Sequence, residues 1–328
     1  MLAESKAIRI LSEELGASFE VSRRGRFRST IGDDCAVFQP PSGKQVWSID
    51  SCVEGVHFRS SWLSPEQVAR KAYHAALSDI PAMGAVPFAV LCHLGLSSQT
   101  DARWMRRFAR EQARLGKEAR APIVGGNIST SSTLEVVTTV LGTVQGDVVG
   151  RSGAQVGDEV WLAGEVGLAR AGLLLLEQKK RRRWDSSVGV QRCLAAFCSP
   201  AALLKEGRRL HGVAHAMLDV SDGLTGDLST LSRMSGVRVC ISEAQLDAAL
   251  SPALIECARL IGQEARELAL IGGEDYALLA TGNAAQRPSF VKPIGWIESG
   301  KGVVLMTDSK RSALSGGFEH GKKTPLTK

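Results

Sequence analysis

The stretch MLDVSDGLTGDL, Met217 to Leu228, places Asp219, Asp222 and Asp227 between an apolar approach and an apolar continuation. One aspartate at such a point is an ordinary turn or cap residue, because its carboxylate accepts nearby backbone N–H groups. A cluster of the form Asp-x-Ser-Asp-Gly is harder to explain that way, in a chain whose formal net charge is +6. AHAMLDV reads as a strand and DLSTLSRMSG as a helix, so the acids stand where a strand gives way to a helix.

The same rhythm continues on both sides. Downstream lie strand VRVCIS, helix ALIECARLIG, strand YALLATG after a glycine turn, and KPIGWIESGKGVVLM. Upstream, GDEVWLAGEVGLARAGLLLL reads as strand, glycine turn and helix, followed by helical SPAALLKEGRRL. Before the turn at Gly150-Arg151-Ser152-Gly153, KQVWSIDSCVEG is strand-like to about Asp50. SPEQVARKAYHAALSDIPAMGA and TDARWMRRFAREQARLGKEA carry apolar residues at helical spacing. APIVGGNISTS reads as a strand running into a glycine turn, and LEVVTTVLGTVQG as a β-rich segment. The fold class is therefore α/β or α+β in two domains, 1–150 and 151–328, without an internal repeat of 20–50 residues.

Composition agrees with that frame. The 328 residues suffice for two cores, and 44% hydrophobic with 23% charged residues describes an ordinary globular chain. The run AVPFAVLCHLGL is too short to span a bilayer, and the amphipathic start MLAESKAIRILSEELG lacks the pattern of a secretory signal. Seven cysteines without a C-x-x-C pair argue against a disulfide framework or thiolate zinc site and for a reducing, cytoplasmic setting. The basic run Lys179 to Arg183 reads as a solvated helix end or loop. No aromatic platform or DNA-binding motif accompanies it, so neither nucleic acid nor membrane is expected as a partner.

Acids also cluster elsewhere: Asp33 and Asp34 in IGDDCAVF, Asp50 and Glu54 in SIDSCVEGVHF, Asp79 in ALSDIPAMGA, Glu274 and Asp275 in LIGGEDYALL. They are expected at the ends of strands. Small neighbours allow close approach of a ligand. Carboxylates gathered together repel unless cations lie between them. Oxygen donors suit a hard ion, Mg²⁺ above all, which usually arrives with phosphate.

Conventional nucleotide motifs are missing. GGFEHGKK from Gly316 approaches a Walker A loop but puts Lys323 where Ser or Thr must hold Mg²⁺, with Pro325 against a following helix. There is no G-x-G-x-x-G after a strand and no kinase HRD or DFG set. His211 and His215 have zinc spacing, but Gly212 lies between them and no third ligand is evident.

Taken in order, IGDDCAVF, SIDSCVEGVHF, ALSDIPAMGAVP, IVGGNIS, GRSGAQVGDEVWLAG, LDVSDGLTGDL, IGGEDYALL and IGWIESGKGV resemble the motifs of the thiamine-monophosphate kinase family, within the aminoimidazole ribonucleotide synthetase-like superfamily. The resemblance spans about residues 4–320. It implies a two-domain α/β fold whose N-terminal sheets pair across a homodimer, with nucleotide in a cleft at the dimer interface. It also implies ATP-dependent phosphorylation of thiamine monophosphate to thiamine diphosphate, assisted by several Mg²⁺ ions. Asp34, Ser48, Asp50, Asp79, Asp219 and Asp222 look like the Mg²⁺ ligands, with Ile49 offering backbone oxygen. Gly126, Arg151 and Ser221 look like ATP contacts; His57, Glu274 and Phe318 look like contacts to thiamine monophosphate. Asp33 and Asp275 receive supporting roles only. The acceptor is a phosphate monoester, largely anionic near neutral pH. A strong general base is then unnecessary, and direct in-line transfer without a phosphoenzyme is expected.

One position departs from the family pattern. Where the motif usually reads Gly-Gly-Asp-Thr, this chain has Gly126-Asn127-Ile128-Ser129. Asn127 remains a candidate for both metal and ATP through its amide oxygen, without the charge. Two alternatives follow: another ATP-dependent enzyme of the superfamily, or a nucleotide-binding protein with reduced activity. The first includes purine-pathway and selenophosphate synthetases and the hydrogenase-maturation dehydratase. The chain lacks the reactive N-terminal cysteine of the selenophosphate enzymes and the C-terminal cysteine of the maturation enzyme.

Overall fold

A computed structural model of the chain describes residues 2–22, 27–29, 31, 34–178 and 187–316. Asp33, the 179–183 run and Phe318 lie outside the described residues. The chain divides into two compact units, one of residues 1–80 and 85–147, the other of 81–84 and 148–328.

The first unit contains α1 (Glu4–Ser22), β1 (Phe27–Ser29), β2 (Val37–Phe38), β3 (Lys44–Val53), α2 (Pro65–Ala82, whose last two residues cluster with the second unit), β4 (Val86–Leu96), α3 (Ala102–Ala119), β5 (Ile123–Thr130) and β6 (Glu135–Val144). Its main sheet has the order β3-β6-β4-β5, antiparallel except for the parallel pair β4–β5. Asp101 caps α3, accepting from the Trp104 N–H at 2.7 Å, and Arg120 ends the helix in the left-handed region. The buried residues Met105, Phe108, Ala109, Gln112 and Leu115 form one stripe of α3. Its charged flank bonds to neighbouring helices: Arg106 and Arg110 to Glu14 of α1, and Arg107 to Glu66 of α2. Hydrogen bonds from Arg110 hold the Glu14 carboxyl below the usual range.

The expected glycine turn in APIVGGNISTS is instead unbroken strand. A Cβ on Gly126 would lie 1.8 Å from the Cys92 carbonyl oxygen, so glycine here lets β5 approach β4 rather than bend away.

The second unit contains β7 (Glu159–Ala163), α4 (Leu168–Glu177), α5 (Val188–Cys198), α6 (Leu204–Leu210), β8 (Ala216–Asp219), α7 (Leu224–Ser235), β9 (Arg238–Ser242), α8 (Glu243–Ala249), α9 (Pro252–Ile261), α10 (Ala265–Ile271), β10 (Leu278–Gly282), β11 (Lys292–Glu298), β12 (Gly302–Met306) and β13 (Arg311–Leu314). The strands form one sheet in the order β13-β12-β9-β11-β7-β10-β8. Alternation along β7 serves two cores. Val160 and Leu162 pack with Leu175, Leu228 and Leu254, whereas Trp161 and Ala163 pack with Leu210, Met217 and Ala280 on the other side. The two-domain α/β class is thereby observed.

Helices α4 and α5 meet at Gly172, where an added Cβ would stand 2.1 Å from the Cys193 carbonyl oxygen. Gly172→Ala would gain about 1 kcal/mol in helix propensity. It would also drive a methyl into backbone, and overpacking of that kind costs about 1–3 kcal/mol or more. The expected result is a net loss of stability in urea, with an unchanged slope; increased stability would contradict this packing.

Candidate active site

In the first unit, Ser48, Ile49 and Asp50 follow one another inside β3, and Asp79 lies on α2. Ser48 Oγ donates to Asp79 Oδ2, joining strand to helix at the half-buried side of the sheet. Asp50 Oδ1 accepts from the Ser51 N–H at 2.6 Å. The Ile49 side chain is 66% exposed and points to the other face, so only its backbone could serve a cation beside Asp50. Asp34 is exposed, in the bend before β2. The expectation that these acids stand at strand ends therefore fails for Asp50, which is mid-strand, and for Asp79, which is helical.

Cross-strand register separates Asn127 from Asp50. Asp50 pairs with Thr138, Thr138 with Cys92 and Cys92 with Gly126, and residues in such a row share a face. Asn127 belongs to the next row, with His93, Val137 and Ser51, on the face that carries Ile49 and Leu91. Its Nδ2 is 3.4 Å from His93 Nδ1. His57 follows β3 in a turn, and its Nδ1 accepts from the Val53 N–H at 3.0 Å. That bond leaves Nε2 to carry the proton of the neutral ring.

In the second unit, the structure brings Asp219, Ser221, Asp222 and Glu274 onto adjoining segments. Asp219 closes β8 and pairs with Leu278 of β10. Pairing continues beyond both strands: the Val220 N–H donates to the Ala277 carbonyl at 2.8 Å, Tyr276 N–H to Val220 at 2.9 Å, and Glu274 N–H to Ser221 at 2.9 Å. Glycine is required for this closeness, because a Cβ on Gly273 would stand 2.3 Å from the Ser221 carbonyl oxygen. Asp222 is exposed and Asp219 buried. Arg151 is exposed, its carbonyl accepting from Ser235 Oγ at 3.2 Å.

Two acids left without a ligand role by the sequence reading hold these segments. Asp227, in the first turns of α7, accepts from the Ser221 and Asp222 N–H groups at 3.1 and 3.2 Å. Burial, and then the charges of Asp219 and Asp222, push its carboxyl up to about 8. Asp275 accepts from the Gly167 N–H at 2.5 Å and the Ala169 N–H at 2.8 Å, at the start of α4. Burial pushes its carboxyl up to about 7, while those two N–H groups pull the other way. Its neighbours Glu274 and Tyr276 have φ values of +66° and +50°, left-handed geometry that costs non-glycine residues on the order of 1–3 kcal/mol each. The motif letters showed these acids but not the amides they reach.

The donor chemistry fits Mg²⁺. The candidates offer hydroxyl, carbonyl and carboxylate oxygen, and the negative field that raises Asp227 is one a cation would relieve. Among the described residues, no three His, Cys, Asp or Glu side chains gather into a ready cage. Mg²⁺ needs none, since it is usually held by one or two carboxylates with water and substrate phosphate. His215, by contrast, pairs with Asp158 at 2.8 Å. No helix among the described residues is long and apolar enough to cross a membrane.

Residues 32–144 match the family model described as AIR synthase related protein, N-terminal domain. The thiamine-monophosphate kinase of Corynebacterium glutamicum is 32% identical, covering 97% of this chain and 93% of the relative. That of Aquifex aeolicus is 35% identical over 84% of this chain and 88% of its own length. Among solved structures, AaThiL complexed with AMPPCP and TMP superposes with a TM-score of 0.78 at 31% identity, covering 97% of each chain. Hydrogenase maturation protein HypE in complex with ATP shares the fold at a TM-score of 0.74 and 18% identity. Identity above 30% across nearly the whole sequence, together with the two-sheet α/β architecture, means that the chain belongs to the thiamine-monophosphate kinase family, a family of phosphotransferases.

Proposed function

We propose that this protein transfers the γ-phosphoryl group of ATP to thiamine monophosphate, giving ADP and thiamine diphosphate by direct in-line displacement. The observation that carries the reading is the end-to-end likeness to AaThiL complexed with AMPPCP and TMP. Residue chemistry supports it. Ser48, Asp50 and Asp79 with Asp34 and the Ile49 carbonyl in the first unit, and Asp219 and Asp222 in the second, are the proposed Mg²⁺ ligands. Bound Mg²⁺ would offset the repulsion between two anionic substrates and polarise the transferring group. Ser221, Gly126 and Arg151 are assigned to ATP, and Asn127 to ATP and metal through its amide oxygen. His57 and Glu274 are assigned to thiamine monophosphate, with Phe318.

The chain's own work in this reading is positioning. Asp227 accepts from the backbone N–H groups of Ser221 and Asp222 and so ties the loop that carries Asp222 to α7. Ser48 orients the Asp79 carboxylate. No His–Ser or Cys–His relay is needed, because the acceptor oxygen already bears negative charge.

A homodimer belongs to the same proposal. The sheet of the first unit exposes Trp47 and Ile49 at 66% each and Leu91 at 41%, all on one face, and such a patch in water marks an association surface.

Incubation with ATP, Mg²⁺ and thiamine monophosphate should yield thiamine diphosphate and ADP in equal amounts. Nucleotide binding without product would instead favour the alternative of a nucleotide-binding protein with reduced activity. Asp50→Ala, Asp79→Ala and Asp222→Ala should each lower turnover by about 10²–10³ while leaving the melting temperature within a few degrees. Full activity at limiting Mg²⁺ in all three would remove them from the ligand set. Asn127→Asp should reduce the Mg²⁺ needed for half-maximal rate; an unchanged requirement would remove Asn127 from the metal site. Sedimentation should find a dimer that Trp47→Glu converts to monomer, and a monomeric parent protein would contradict the pairing.

A further inference from the structure

We infer that Cys193 of α5 and Cys257 of α9 form a reversible oxidation site, a thiol pair that a hydroperoxide closes into a disulfide joining the two helices. The proposed phosphoryl transfer uses neither thiol. No C-x-x-C spacing announces the pair, because the two cysteines meet only through helix packing.

The contact between α5 and α9 brings them together. Gly189, one turn before Cys193, has no side chain to hold α9 away: an added Cβ would stand 3.4 Å from Ala253 Cα. Ala253 and Cys257 are four positions apart on α9 and so share a face. Cys193 Sγ is 3.8 Å from the Ala253 carbonyl oxygen, beside the turn that ends at Cys257. Ser187, the cap of α5, donates through Oγ to Glu256, the neighbour of Cys257. Behind the pair, the Cys193 carbonyl packs against Gly172 of α4.

The two thiols also act on each other. The hydrogen bond between them is the largest influence on both, pushing Cys193 up and Cys257 down. Cys257 is therefore the sulfur that ionises more readily, with Cys193 beside it as proton donor. Both are free thiols and both are 0% exposed. A solitary buried thiol is inert, and burial here restricts access to a small uncharged oxidant. This pair differs because a second sulfur is already in contact. Oxidation then stops at the disulfide instead of continuing to sulfinic acid.

The steps balance with hydrogen peroxide as oxidant. Cys257 sulfur attacks one peroxide oxygen; an S–O bond forms, the O–O bond breaks, and the departing oxygen takes the thiol proton and leaves as water. Cys193 sulfur then attacks the resulting sulfenic sulfur. An S–S bond forms, the S–O bond breaks, and hydroxide leaves as water with the Cys193 proton. The sulfurs lose two electrons to the peroxide, which ends as two waters, and a dithiol reverses the result by exchange.

The test treats the folded full-length protein with hydrogen peroxide for times well beyond those that oxidise the exposed Cys35. Thiols that remain are then alkylated under denaturing conditions and the peptides mapped without reduction. The expected product is a Cys193–Cys257 cross-linked peptide that dithiothreitol separates, with a urea midpoint above that of the reduced protein. Both cysteines alkylated as free thiols would overturn the inference. So would a bridge from either to another cysteine, or sulfinic acid on either. Cys257→Ala should abolish the rise in midpoint, and a rise that persists would also overturn it. Should that variant fail to fold, the peptide map of the parent protein decides alone.

Discussion

Antiparallel pairing of β8 with β10, prolonged past the ends of both strands, is the constraint on which the second unit's site depends. Inside the sheet it is ordinary ladder. Beyond Asp219 it becomes the contact between two irregular segments, Val220–Gly223 and Gly273–Ala277. Irregular backbone at a packed surface needs partners for its N–H and C=O groups. These segments supply them to each other, and two acids complete the arrangement: Asp227 reaches back from α7, and Asp275 reaches across to α4. Ser221, Asp222 and Glu274, on these two segments, carry the proposed chemistry.

The first unit reaches a similar result with different parts. A strand supplies Ser48 and Asp50, a helix supplies Asp79, and one hydroxyl–carboxylate bond joins them. Phosphoryl transfer between two anions demands little covalent help from a protein and much electrostatic help. Oxygen-rich surfaces on rigid elements meet that demand, since ligands that need no rearrangement cost nothing at the moment of reaction.

Much of this was legible in the letters. The helical spacing in α2 and α3 and the strand-like segments that became β7, β8 and β9 all correspond to elements in the structure. The ordered motifs identified the family. Local pattern failed where a glycine's purpose was tertiary: Gly125-Gly126 looked like a turn, yet Gly126 is there to clear the Cys92 carbonyl. It failed again for Asp50 and Asp79, because spacing from small residues does not say whether an acid is mid-strand or on a helix. Sheet face was also out of reach. That Asn127 and Asp50 lie on opposite faces follows from the register of three strand pairs, which no single stretch encodes. The amide partners of Asp275 were hidden for the same reason, lying more than a hundred residues away along the chain.

The central claim is that scattered carboxylates act as ligands to divalent cations that accompany phosphate. It is tested most directly by crystals grown with a non-hydrolysable ATP analogue and Mn²⁺, with anomalous scattering locating the ions. The account predicts peaks at about 2.0–2.6 Å from carboxylate oxygens of Asp50 or Asp79 and of Asp222. Bound nucleotide with no peak beside any of the three would contradict it.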